Sequence, residues 1–160
     1  MAMGKLYTLQ SKIRNMKKIL YAIHFLCISS IAFGQTSKDS LLIRETALNY
    51  IEGFYSNDFK RVEKAVHPEL AKRIIVKDTL GNYMLKNMGC SQLVYNAKKF
   101  KKSSNQSSDL FKATIIIFDI SNDIATIKVT QNKMSFFDYL HLAKINSEWK
   151  IINVLWTRTE

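Results

Sequence analysis

The sequence predicts an α+β fold, with helices first and a long antiparallel sheet after them, the helices lying on one sheet face. Two observations carry this. Between Ile43 and Phe100 apolar residues recur mainly at helical spacing, and after Leu110 the period changes to two. Short turn pairs, Ser121-Asn122 and Asn146-Ser147, separate the alternating runs of the second half.

Each element has its own signal. Ser37 or Asp39 can cap a first helix, in which Ile43, Ala47, Tyr50, Ile51 and Phe54 form one apolar face that ends at Gly53 and Ser56-Asn57. Asn57 or Asp58 can cap a second, carrying Phe59, Val62 and Val66. His67-Pro68 is expected to stop it, because the residue before proline disfavours helix. Leu70–Lys77 and Tyr83–Lys86 read as a hairpin around Thr79-Leu80-Gly81-Asn82. Ser91 can cap a third helix with Leu93, Val94, Ala97 and Phe100, and Ser103–Asp109 is a polar loop. Leu110–Ile120 is β-branched and aromatic, as a buried strand is. In Ile124–Asn132, Ala125, Ile127 and Val129 alternate with Thr126, Lys128 and Thr130, so one face is wet. Phe136–Ile145 and Glu148–Thr157 follow, joined at Asn146-Ser147.

Length and composition bound the function. A chain of 160 residues with 47% apolar content holds one domain with a real core. The single proline excludes Pro-rich and collagen-like readings. The formal charge is +11, yet residues 1–34 hold five of the 24 basic residues and no acid, which leaves residues 35–160 at +6. The cluster Lys98, Lys99, Lys101 and Lys102 is not Arg-rich and has no recognised nucleic-acid motif near it, so it reads as a solvated helix end and not as a nucleic-acid surface. Of the two cysteines, Cys27 falls in a segment expected to be removed, so Cys90 is left without an intramolecular partner and reads as a small apolar or helix-entry residue.

Residues 1–34 read as an address. Met16-Lys17-Lys18 opens a cationic stretch, Ile19–Ile31 is mostly apolar, and Ala32-Phe33-Gly34 puts small residues before Gln35. That is a secretory signal, with residues 1–15 as an upstream extension and Met16 as an alternative start. The apolar run is short of the ~20 residues of a membrane span, though an uncleaved anchor is the rival reading. The expectation is a domain over residues 35–160, periplasmic or secreted, with no stable membrane span after cleavage.

Local blocks add a resemblance. Tyr50-Ile51-Glu52-Gly53-Phe54-Tyr55, Asn57-Asp58 and His67-Pro68-Glu69-Leu70 resemble the opening of the Putative lumazine-binding family, within the nuclear transport factor 2-like superfamily. Lys72-Arg73 matches its next feature, and Asp138-Tyr139-Leu140-His141-Leu142 and Trp149–Trp156 look like its close. The resemblance implies a cone-shaped fold whose curved antiparallel sheet wraps a helix-lined pocket. It does not imply a reaction, because the superfamily contains isomerases, dehydratases, cyclases and non-catalytic binders.

Candidate site residues follow from register. A two-residue loop at Asn146-Ser147 sets Ile145 opposite Glu148, Tyr139 opposite Val154, His141 opposite Ile152 and Trp156 opposite Phe137. Asp138, Leu140 and Leu142 then share the other face with Leu155, Asn153 and Ile151. One added residue would move this register. Two polar sets result, Tyr139 with His141 and Asp138 with Asn153. The first is favoured as pocket-lining, with Tyr50, Phe54 and Trp156 around it and Arg73 as an anchor for a carboxylate or phosphate. Asp138 is expected to pair with a nearby Lys or Arg, Arg73 to form a structural ion pair by default, and His67 to cap a helix end. H-E-x-x-H, C-x-x-C, G-x-G-x-x-G and P-loop patterns are absent, so no metal and no cofactor is expected.

Three functions compete. The favoured one is an exported, non-catalytic domain that binds a small apolar or aromatic molecule. The second is an isomerase or dehydratase that uses Tyr139 and His141 as donor and base. The third is a dimerising module whose interface is the outer sheet face, with Ile115, Ile117 and Ile124, and a homodimer is expected in any case.

Overall fold

The computed structural model describes residues 38–101 and 110–159, together with Met16. The expected signal over residues 1–34 and the polar loop Ser103–Asp109 lie outside the described residues. The chain divides into two units, residues 1–39 and 40–160, and the fold set out here is that of the second.

Helix α1 covers residues 38–56, its part in this unit starting at Ser40. Ile43, Ala47, Tyr50 and Ile51 are buried along one stripe, as their spacing requires. Gly53 does not end the helix. It lies inside it, where an added Cβ would come 2.9 Å from Arg61 Cβ and 3.1 Å from the Asp58 carbonyl, so glycine permits α1 and α2 to meet. The turn falls at Asn57, in the left-handed region at φ 63°. Its side-chain amide donates to the carbonyls of Ala97 (3.2 Å) and Phe100, tying this turn to the segment 97–100. Helix α2 is Phe59–Ala65, capped by the Asp58 carboxylate, which accepts from Arg61 N.

Strand β1 is Val66–Lys77 and follows α2 without a loop. His67 is therefore a strand residue and not a helix cap; its Nδ1 accepts from Glu69 N at 3.2 Å. Pro68 is tolerated because the ladder from β1 to the last strand is irregular between Val66 and Ala71, where a missing N–H costs least. β2 is Tyr83–Met88, α3 Cys90–Lys99, β3 Ala113–Ser121, β4 Ile124–Gln131, β5 Phe136–Ile145 and β6 Glu148–Arg158.

The six strands form one sheet in the order β2-β1-β6-β5-β4-β3. Every neighbouring pair is antiparallel except β1 with β6, which run parallel, so the sheet is mixed and not wholly antiparallel. The first and last strands of the domain meet inside the sheet, and they are the parallel pair. Among the described residues, no helix is long and apolar enough to cross a membrane.

The final hairpin departs from the expected register. Its turn is the two-residue Asn146-Ser147, both at positive φ, and Ile145 opposes Glu148 as expected. A bulge at Ile152 then shifts the ladder: Leu142 opposes Ile151, but His141 opposes Asn153 and Asp138 opposes Trp156. The shift brings Val154 and Trp156 onto the helix-covered face, where alternation along β5 already places Asp138, Leu140 and Leu142. Tyr139, His141, Asn153 and Leu155 fall on the outer one. A second bulge, at Phe118, interrupts β3. Ile115 and Ile117 pack against the core, so the outer face of β3 carries Ile116 and Phe118 instead; Ile124 is outer, as expected.

Candidate functional site

Alternation along β1 sends Leu70, Lys72, Ile74 and Val76 toward the helices. Lys72 is thus a cation in an apolar row, only 6% exposed. Alternation along β5 does the same for Asp138, which is fully buried between Leu140 and Phe136. The two meet: Lys72 Nζ donates to Asp138 Oδ1 at 2.7 Å and to Tyr50 Oη at 2.7 Å. Tyr50 Oη donates to Asp138 Oδ2 at 3.1 Å. Both carboxylate oxygens are occupied, so the buried charge is neutralised and hydrogen-bonded.

Three rings surround the ammonium. Lys72 Nζ lies 4.9 Å from the Trp156 ring centre, 5.4 Å from Tyr50 and 5.6 Å from Phe136. Burial pushes the Lys72 ammonium below the ordinary lysine range, with Asp138 acting in the opposite sense. Burial first, then the Asp138 charge and hydrogen bond, holds the Tyr50 phenol well above its ordinary value, so it stays protonated. An ammonium has three N–H donors and two are used here. The third has no protein acceptor among the described residues.

Beside this cluster a cavity of about 130 Å³ is lined by Tyr50, Ile51, Phe54, Lys72, Met88, Leu93, Asn96, Phe136 and Trp156. A second, about 250 Å³, is lined by Lys72, Ile74, Val76, Lys86, Asn87, Met88, Trp156 and Arg158. Lys72, Met88 and Trp156 line both. Neither volume alone reaches the roughly 300–1,000 Å³ of small-molecule sites; only taken together do they enter that range. The first is walled mainly by apolar and aromatic side chains, and the second adds Lys86, Asn87 and Arg158 to apolar walls.

Of the residues singled out from sequence, Tyr50, Phe54 and Trp156 line the cavity. Tyr139 and His141 do not. Tyr139 is 39% exposed on the outer face, and His141 Nδ1 lies there 3.0 Å from Asn153 Nδ2. Arg73 is also outward; its Nη1 donates to Asn153 (2.9 Å) and its Nε to Asn87 (3.0 Å), so its partners are amides and not a carboxylate. Asp138 and Asn153 do not share a face: Asp138 pairs with Lys72, a cation as expected, and Asn153 belongs to Arg73 and His141. Lys72, Met88, Leu93, Asn96 and Phe136 were not anticipated as lining residues. A lysine in phase with Leu70 and Ile74 was the available signal for the first. Among the described residues, no three of His, Cys, Asp and Glu are grouped to hold a metal.

Comparison with known proteins agrees with this architecture. The family described as "Putative lumazine-binding" matches residues 38–157. No curated protein matches. Among solved structures, a nuclear transport factor 2-like protein of unknown function from Shewanella baltica OS155 superposes with TM-score 0.64 at 19% identity, covering 78% of this chain and 96% of that one. One from Silicibacter pomeroyi DSS-3, also of unknown function, gives TM-score 0.59 at 13% identity over 77% and 98%. A ketosteroid isomerase-like protein from Erwinia carotovora atroseptica gives 0.52 at 11% over 75% and 95%. At these identities the likeness is one of fold.

Proposed function

Because the chain belongs to the Putative lumazine-binding family of nuclear transport factor 2-like proteins, we propose that its domain holds one small, flat, largely apolar molecule across the two adjacent cavities and does no chemistry on it. The observation that carries this is the wall itself: Trp156, Phe136, Tyr50 and Phe54 around a single ammonium whose third N–H is unclaimed. A ligand carbonyl or ring nitrogen can take that donor while the rings stack on its faces.

The enzyme reading is the weaker one. An isomerase or dehydratase needs a base open to the substrate and a donor for the developing oxyanion. Asp138 is fully buried, spends both oxygens inside the protein and lines neither part of the cavity. Tyr139 and His141 stand on the far side of the sheet.

The test is calorimetric titration with flat heterocycles, lumazine first, followed by recovery of the ligand. Binding with the ligand recovered unchanged is the expected result, and Trp156→Ala weakens it at least about tenfold by removing the stacking wall. Chemical conversion of any ligand would replace this reading with the enzymatic one.

Two further parts belong to this proposal. The protein is exported, on the evidence of Lys17-Lys18, the apolar run and Ala32-Phe33-Gly34; the mature chain should begin at Gln35, and a cytoplasmic chain that keeps residues 1–34 contradicts this. It is a homodimer joined through the outer sheet face, where Ile75, Leu85, Ile116, Phe118 and Leu155 are exposed around Tyr139.

A further inference from the structure

We propose that the molecule held in this cavity is an anion: a flat apolar body with a carboxylate or phosphate arm, the arm lying toward Lys86 and Arg158. The inference rests on the small-molecule reading above and names the ligand's class. Its basis is the difference between the two adjacent cavities, which share Lys72, Met88 and Trp156 and are taken as the halves of one site. The half under α1 and α3 is walled by Tyr50, Ile51, Phe54, Leu93, Phe136 and Trp156, with Asn96 and Lys72 as its polar groups. The half along β1, β2 and β6 keeps apolar walls, Ile74, Val76, Met88 and Trp156, and adds Lys86 and Arg158. Among the described residues, no acid lines either half.

Both added cations come from alternation. Lys86 opposes Ile74 across β1 and β2, so it projects from the same face as Ile74. Arg158 follows Trp156 by two residues on β6. Among the described residues neither has an ion pair or a hydrogen bond from its side chain. Lys72 differs, because Asp138 already neutralises its charge. An arm entering here meets two unspent cations beside low-dielectric walls, which strengthen the field at that end. A guanidinium can meet a carboxylate or phosphate with two parallel N–H bonds. A neutral ligand of the same shape gains the stacking and the Lys72 donor but leaves both cations with solvent alone.

The probes are 2-naphthoate and 2-naphthamide, equal in ring and nearly equal in size, titrated by calorimetry into the mature chain. Naphthoate should bind at least about tenfold more tightly, and added salt should narrow the gap. In Lys86→Gln with Arg158→Gln the preference should fall below about threefold, while Lys86→Arg with Arg158→Lys should retain most of it. Both positions are exposed, and thermal unfolding of each variant verifies its fold. Equal affinities, or a preference for the amide, would overturn the anion inference and leave the cavity reading standing. A preference that survives the double glutamine variant would overturn the assignment to Lys86 and Arg158. If neither probe binds while other flat heterocycles do, this inference fails alone; if nothing flat binds, the cavity reading fails and this one with it.

Discussion

Asp138 and Lys72 show how two charges can sit in a core without disrupting it. Each would be costly alone, and together with Tyr50 they use both oxygens of the carboxylate. Removing one partner leaves the other buried and uncompensated. Asp138→Asn is therefore expected to cost about 3–5 kcal/mol in urea unfolding. Replacing both charges, Lys72→Met with Asp138→Leu, should recover most of that loss, because a packed apolar pair has no desolvation cost to offset. If the double variant were as unstable as Asp138→Asn alone, the cluster's role would be shape and not charge balance. At this scale the sequence was half legible. That Asp138 would find a cation followed from its apolar neighbours. That the cation would be Lys72 did not, although Lys72 alternates in phase with Leu70, Ile74 and Val76 on one strand face.

At the scale of elements, the β1–β2 hairpin depends on Asp78. Its Oδ1 accepts from Leu80 N and Asn82 N, each at 2.8 Å, and Gly81 completes the turn at φ 88°. The Asn82 backbone N–H, first among these donors, holds the Asp78 carboxyl below its ordinary range. A depressed carboxyl stabilises the fold above its unfolded value and loses that contribution as pH falls through the folded one. The amide resonances of Leu80 and Asn82 should therefore titrate in acid with a midpoint below the ~3.9 of a free aspartate. A midpoint at or above that value would mean that the turn is held by its backbone alone. Elements were where the sequence was clearest, since helical and alternating periods located the three helices and six strands of the domain's described residues. It was least clear where one residue changes a count. The turn at Asn146-Ser147 was read correctly, yet the bulge at Ile152 carries no composition signal. That single residue moves Val154 and Trp156 to the face of Asp138 and Leu140, and Asn153 and Leu155 to the face of Tyr139 and His141, and with them the candidate site.

At the scale of the molecule, the sheet has two unlike faces. One is covered by helices and holds the cavity. The other exposes Ile75, Leu85, Ile116, Phe118, Tyr139 and Leu155 around the polar row Arg73, Asn153 and His141. A second copy placed on that face explains its composition, and sedimentation equilibrium should give a dimer that Ile116→Glu with Phe118→Glu converts to monomer. A monomer at every concentration would remove the dimer and leave the cavity untouched. The central claim concerns that cavity, and tryptophan fluorescence reaches it directly. Trp149 is buried in the core and lines neither part of the cavity, whereas Trp156 lines both, so Trp149→Phe leaves one reporter at the site. Titrated with lumazine, this variant should show saturable quenching of Trp156. Filling the cavity by Asn96→Phe in the same background should abolish it. Quenching that rises linearly without saturation, and to the same extent with Phe at position 96, would contradict a ligand site at Trp156.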